Sequence, residues 1–299
     1  MNYQSFYHLT GDGAVIKDFI VNKADFRAAF NLTGVCAYNA DVVVVAFSYE
    51  ESHPHTLLHG THDNCMRYKL LFEGSYLHHV VRTRKPPVRL NLDLDLLEME
   101  DESHLMNTGT YTIIQPTKDG KPVMPYDYLW GTGSMYFRQK YNIPIWCYDQ
   151  DGVIRQPIRA DQLGGRERRA VCCSRMSIPD DWLVCNGLIL PDNYVDVALF
   201  ERIYRTVNCY RVFLASSRSQ LQAVQQRIAT ARGVAYDDLE ARQFCGDCCQ
   251  QLYGFKDVRR LTSLQRIGLA QKLWREHRLS RRQLATVVRL PYAEICKYT

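Results

Sequence analysis

Two histidines one residue apart, His53 and His55, follow closely on the apolar, β-branched run 42–47. Residues at i and i+2 of a strand project to the same face, so both imidazoles can reach one cation. Neutral imidazole is a good ligand for a borderline divalent metal. A second pair lies further on, where Gln115 follows Tyr111 by four residues. On a helix that spacing puts a phenol and an amide side by side. A phenol titrating near pH ~10 is a poor nucleophile at neutral pH, and becomes useful where a metal polarises the phosphate it attacks. The amide oxygen of Gln115 can then complete the coordination begun by the histidines. Taken singly, each pair also has an ordinary reading, because 9 histidines and 19 tyrosines occur in the chain. His59 and His62 fall where a strand should end and read as solvated or substrate-facing.

The flanking patterns supply elements to carry these residues. Residues 3–10, the turn Gly11-Asp12-Gly13 and residues 14–20 read as a β-hairpin. A helix is expected over 22–38, a buried strand over 41–49 and its antiparallel neighbour over 52–59. Residues 61–81 have helical spacing, 82–89 form a basic connector broken by proline, and an acidic stretch, 93–102, leads into a helix over about 102–116. The order β-β-α-β-β-α-α predicts an α+β domain, an antiparallel sheet with helices packed on it. The acidic cluster Asp93, Asp95, Glu98, Glu100, Asp101 and Glu102 fits placement at a helix N-terminus better than a metal site.

Read together, the two pairs carry a resemblance. The stretch 44–58, with Ser52-His53-Pro54-His55 entering a strand, resembles the His-hydrophobic-His strand of single-tyrosine HUH transposases, in particular the REP-associated tyrosine transposases. Those proteins continue with a helix reading Tyr-Ile-x-x-Asn-Pro and a loop reading Asp-Tyr-x-Trp-Ser-Ser. Here stand Tyr111-Thr112-Ile113-Ile114-Gln115-Pro116 and Asp127-Tyr128-Leu129-Trp130-Gly131-Thr132. The match runs over about residues 3–137. Ser52 replaces a common asparagine, Pro54 is a less usual middle residue, and Gln115 replaces asparagine, as in related insertion-sequence transposases. The resemblance implies a ferredoxin-like or RRM-like HUH domain in which His53, His55 and Gln115 hold magnesium or manganese. Tyr111 would attack single-stranded, hairpin-forming DNA, leaving a 5′-phosphotyrosine and a free 3′ end, so that a second end can be joined. Tyr126, Tyr128 and Trp130 would mainly pack.

Composition sets the bounds. The chain has 299 residues, a net charge of +5 and 46% hydrophobic residues, enough for a sizeable core. From Lys256 onward eleven Lys/Arg face three Asp/Glu, which favours an anionic partner. Thr262-x-x-Gln265 and Ser280-x-x-Gln283 match the capping box and predict helices at 263–277 and 281–288. Pro291 then opens a last helix, giving a basic helix-turn-helix over about 262–298 suited to duplex DNA. Backbone-contact candidates are Arg67, Lys69, Arg82, Arg84, Lys85 and Arg89 near the site, and Arg281, Arg282 and Arg289 near the end.

The expected organisation is a catalytic domain over 1–137, an irregular connection over 138–194 and a helical region over 195–299 that could pair two copies. Eleven scattered cysteines and a polar, aromatic start suggest free thiols in a cytoplasmic, soluble protein. Cys245 and Cys248 have a zinc-like spacing but lack a second pair. No phosphate-cradling glycine loop supports nucleotide hydrolysis. Two other readings stay open: a catalytically decayed transposase that only binds hairpin or duplex DNA, and an initiator of replication or plasmid mobilisation.

Overall fold

The computed structural model describes residues 4–13, 15–16, 18–85, 90–118, 124–138, 143–215, 238–277, 279 and 281–298. The chain divides into two compact units, Met1–Ser217 and Arg218–Thr299. The first is α+β. In chain order it runs β1 (Gln4–Gly11), α1 (Lys23–Ala40), β2 (Val43–Tyr49), β3 (Pro54–Thr61), α2 (His62–Thr83), β4 (Leu94–Glu98) and α3 (Glu102–Lys118). The four strands form one sheet in the order β2-β3-β1-β4, and every neighbouring pair is antiparallel.

Two of these elements correct the sequence reading. Residues 15–16 and 18–20 do not return as a hairpin strand; Ala14 and Lys17 lie outside the described residues. The Val15 and Ile16 amides instead donate to the Asp12 carbonyl at 2.8 Å each, a tight turn. Ile16, Phe19 and Ile20 are then spent on the core rather than on a ladder. The acidic stretch likewise does more than precede a helix. Residues 94–98 are an edge strand, paired with β1, whose alternation of leucine and acid suits a half-solvated edge. Only Asp101 acts as a cap, accepting from the His104 amide at 2.7 Å at the start of α3.

Strand alternation sorts the side chains into two layers. Tyr49 lies parallel to Phe72 of α2, with centroids 6.1 Å apart, and Phe47 meets Phe30 of α1, so α1 and α2 cover one face. Ser48, between them in sequence, pairs with His55 and looks the other way, towards α3. The outer edge of β2 is closed by other segments. Thr132 donates to the Phe47 carbonyl, the Tyr49 amide donates to the Trp130 carbonyl, and Asp196 donates to the Val44 carbonyl.

A buried ion network ties the loop before α1 to the end of α2. Asp25, fully buried, accepts from Arg84 at 2.9 Å, from His79 at 3.0 Å and from the Val21 amide at 3.1 Å. Arg84 also donates to the carbonyls of Asp18 and Phe19 at 2.7 and 2.5 Å. Burial alone would raise the Asp25 carboxyl, but the bonds from His79, Val21 and Arg84 outweigh it and hold it below the ordinary range.

Residues 143–215 belong to this first unit. They add α4 (Gly165–Cys172), a small sheet of β5 (Ile158–Arg159), β6 (Leu183–Cys185) and β7 (Leu188–Ile189), then α5 (Val197–Tyr204) and α6 (Val207–Ala215). The described part of the second unit is helical: α7 (Asp238–Tyr253), α8 (Ser263–His277), α9 (Arg281–Val288) and α10 (Tyr292–Ile295). The Thr262–Gln265 capping box forms, with Thr262 N–H donating to the Gln265 amide oxygen at 2.9 Å and Gln265 N–H reaching the Thr262 hydroxyl at 3.4 Å. Ser280 lies outside the described residues. Cys245, Cys248 and Cys249 are spent on this unit's core with Leu269, Leu273 and Leu284. Among the described residues no helix is long and apolar enough to cross a membrane.

Removing Arg84 leaves a buried carboxylate without its guanidinium partner. Arg84→Ala should therefore cost about 3–5 kcal/mol at neutral pH in urea unfolding. The depressed Asp25 pKa contributes stability above its unfolded value of about 3.9, lost as pH falls through the lower folded value. The variant, having lost the Arg84 share of that term while keeping the His79 and Val21 bonds, should show a somewhat flatter decline below about pH 4.

Candidate active site

The α3 side of the sheet collects the residues with chemical potential. The register sets Thr10 opposite His55 and Ser48 opposite His55, so β1, β2 and β3 all contribute to one patch. His53 and His55 stand with ring centroids 4.5 Å apart. Tyr111 reaches the same patch from α3, edge-on to His55 at 5.3 Å. The sequence-predicted histidine pair and tyrosine thus come together. His55 and Tyr111 are buried, at 1% and 4% exposure, and His53 is half-buried.

Both imidazoles have their Nδ1 atoms engaged inside the protein. His53 Nδ1 lies 2.7 Å from the Ser52 hydroxyl, and His55 Nδ1 lies 3.1 Å from the Thr10 hydroxyl. The Nε2 atoms are then the ones a cation would use. The glycines before α1 make room for this arrangement. A Cβ on Gly13 would come within 2.8 Å of His53 Nδ1, which is why a side chain is not accommodated there.

Gln115 is 2% exposed one turn beyond Tyr111 and is followed by Pro116 inside the helix. Its amide nitrogen is buried without a hydrogen-bond partner among the described residues. Two imidazoles and one amide oxygen would offer a divalent cation two borderline nitrogen ligands and one oxygen ligand. Among the described residues, no group of three or more His, Cys, Asp or Glu is arranged to hold a metal ion.

Two residues of this patch, His8 and Glu50, escape sequence reasoning, and a third, Asp95, is read there only as part of the acidic stretch ahead of a helix. His8, 1% exposed on β1, packs its ring against His55. Asp95 of β4 lies opposite Thr10 and so shares that face. Glu50, 1% exposed, closes the turn through its amide, which donates to the His53 carbonyl at 3.3 Å. His8 was discoverable only from strand register; no short motif marks it.

The basic residues fare differently. Arg84 is committed to Asp25 and two carbonyls, at 7% exposure, and is not a phosphate contact. Arg67, Lys69 and Arg82 belong to α2, on the face of the sheet opposite His55, because the α2 layer packs on the Tyr49 side. Lys69 is also paired with Glu73 at 3.7 Å. Lys85 is exposed, and Arg89 lies outside the described residues. In the second unit Arg282 and Arg289 are exposed and Arg281 is half-buried. His59 turns to Phe6 at 4.6 Å further along β3, and His62 is exposed at the start of α2. Tyr128 packs, donating to the Tyr49 carbonyl at 2.7 Å, and Trp130 stacks on Phe26, while Tyr126 is exposed.

The helix that carries Tyr111 is braced from behind. Tyr204 of α5 donates to the Met106 carbonyl at 2.6 Å and shares a hydrogen bond with the Thr110 hydroxyl at 2.9 Å. Gly109 lets it approach, since a Cβ there would come within 2.7 Å of the Tyr204 hydroxyl. No protein-family model, no characterised protein and no solved structure matches the chain.

This brace can be tested as a pair. Tyr204→Phe should cost about 1–2 kcal/mol through the abandoned carbonyl and hydroxyl. Gly109→Ala should cost about 1–3 kcal/mol through overpacking. The double variant should cost clearly less than the sum, because the phenylalanine vacates the space the methyl needs. Additive losses in urea unfolding would show that the two residues do not meet.

Proposed function

We propose that the chain is a metal-dependent single-strand DNA nickase and strand transferase that uses Tyr111 as its nucleophile. The observation that carries this reading is the convergence of His53, His55 and Tyr111 on one sheet face, with rings 4.5 and 5.3 Å apart. Its β-α-β-β-α-β order and β2-β3-β1-β4 sheet support a ferredoxin-like HUH domain. The sequence motifs around these residues support the REP-associated transposase class in particular.

In this reading His53, His55 and the Gln115 amide oxygen would hold magnesium or manganese. When bound, that ion supplies charge stabilisation at the scissile phosphate and at the departing 3′ oxygen. Tyr111 provides the attacking oxygen. Its O–P bond forms as the bond from phosphorus to the 3′ oxygen breaks; the phenol gives up its proton and the 3′ oxygen takes one from solvent. A 5′-phosphotyrosine and a free 3′-hydroxyl result, and attack by another 3′-hydroxyl reverses the step without ATP. Helix α3, fixed by Tyr204, holds the phenol beside the histidines, which lowers the entropic part of the barrier. The single strand enters from the side of His53, the member of the group that reaches solvent.

The second unit is read as a duplex-binding module. Helices α9 and α10 are joined by a three-residue turn, Arg289-Leu290-Pro291, in which Arg289 is left-handed, with φ 57°. Arg282 and Arg289 project from these elements and would meet phosphates or base edges.

The test is covalent capture. Labelled hairpin DNA from the flanks of the gene, mixed with protein and manganese, should give a denaturation-resistant adduct. EDTA and Tyr111→Phe should abolish it, and His55→Ala should lower it at least about a hundredfold, the scale of losing a positioned electrostatic group. Binding with no adduct, across several hairpins and both metals, would leave a DNA-binding protein without this chemistry.

A further inference from the structure

We propose that His8 is a positioning residue for His55, fixing which of its ring nitrogens carries the proton. This assignment rests on the metal-centre reading above, because that reading requires a lone pair at His55 Nε2.

His8 occupies a place where packing alone would favour an apolar side chain. It is 1% exposed in the middle of β1, between strands β3 and β4. Its ring lies nearly parallel to His55, at 14°, with centroids 5.3 Å apart. His8 Nε2 is 3.2 Å from His55 Nδ1, within hydrogen-bond reach and on the same atom that Thr10 approaches. It also stands edge-on to Tyr111, with centroids 6.3 Å apart at 84°. One buried ring therefore touches both a proposed ligand and the proposed nucleophile.

A neutral imidazole carries one N–H and one lone pair, and its hydrogen-bond partners choose between the two arrangements. With His8 protonated at Nδ1, its Nε2 is an acceptor. His55 then donates Nδ1–H to His8, with the Thr10 hydroxyl oxygen as second acceptor, and its own lone pair is left at Nε2. Ser52 stands in the same relation to His53 Nδ1, at 2.7 Å. The two ligands are thus oriented by different means, a hydroxyl from the turn for one and an imidazole from the neighbouring strand for the other. Such outer-shell partners set ligand orientation and are commonly worth about 10–100-fold in metal affinity.

The experiment reads the tautomer directly, without metal. In protein labelled with ¹⁵N-histidine, His55 (assigned by comparison with His55→Gln) should show its proton on Nδ1. His8→Ala should lose that preference, and His8→Gln, whose amide oxygen can stand where Nε2 stood, should keep it. If His8→Ala does not fold, His8→Phe keeps the ring and removes the nitrogen, and serves in its place. In parallel, manganese affinity measured by electron paramagnetic resonance should fall about 10–100-fold in His8→Ala and recover in His8→Gln. A His55 proton on Nε2 in the wild type, or a tautomer and affinity unmoved by His8→Ala, would overturn the assignment. Failure of the metal reading looks different: His55 protonated on Nδ1 under the control of His8, but no manganese bound by the wild type.

Discussion

The register of β3 between its two neighbours is the constraint on which the rest of the site depends. Side chains alternate with a period of two, so a slip of one residue would send His53 and His55 into the aromatic layer beneath α1 and α2. The pairing that prevents this is specified on both sides. Leu58 and Thr56 fill the α1/α2 layer with Phe47 and Tyr49, while Leu57 and His55 face α3. The hydrophobic cost of reversing those faces holds the imidazoles where they are. The Ser52 hydroxyl then lies against Nδ1 of His53, and the Thr10 hydroxyl and the His8 ring lie against Nδ1 of His55.

Much of this was legible in the sequence, for physical reasons that differ by element. The β-branched run of β2, the strand after it and the long amphipathic α2 have strong periodicity, and the structure puts them where the pattern does. The i, i+4 spacing holds for Tyr111 and Gln115 because both lie in α3, whereas His53 stands one residue ahead of β3, which begins at Pro54 and carries His55. What failed was what depends on pairing across the chain. His8 is 47 residues from His55, and only the β1–β3 ladder brings them together. Strand β4 was hidden by its acids, whose charge is tolerable because the strand lies at the sheet edge. Arg84 looks like any other cation of a basic linker until its distant partner Asp25 is known.

The residues beyond about 137 change the picture of what the first unit is. A minimal reading ends the domain there, yet Tyr136 stacks on Phe200 and donates to the Val45 carbonyl, and Val195 pairs with Val44. Tyr204 then holds the helix that carries Tyr111 from behind. The added segment therefore shapes the site rather than merely linking it to the second unit. Its weak sequence signal follows from its make-up of short helices and two- or three-residue strands, none long enough to show a period.

The most direct test of the account is to find where DNA becomes attached. Protein–DNA adducts formed with manganese would be digested with nuclease and protease, and the nucleotide-bearing peptide sequenced by mass spectrometry. With 19 tyrosines in the chain the result is informative whichever one is found. The account predicts a 5′-linked nucleotide on Tyr111 and on no other residue. Attachment at a different tyrosine, or at a serine or histidine, would contradict the assignment of α3 and the histidine face as the active site.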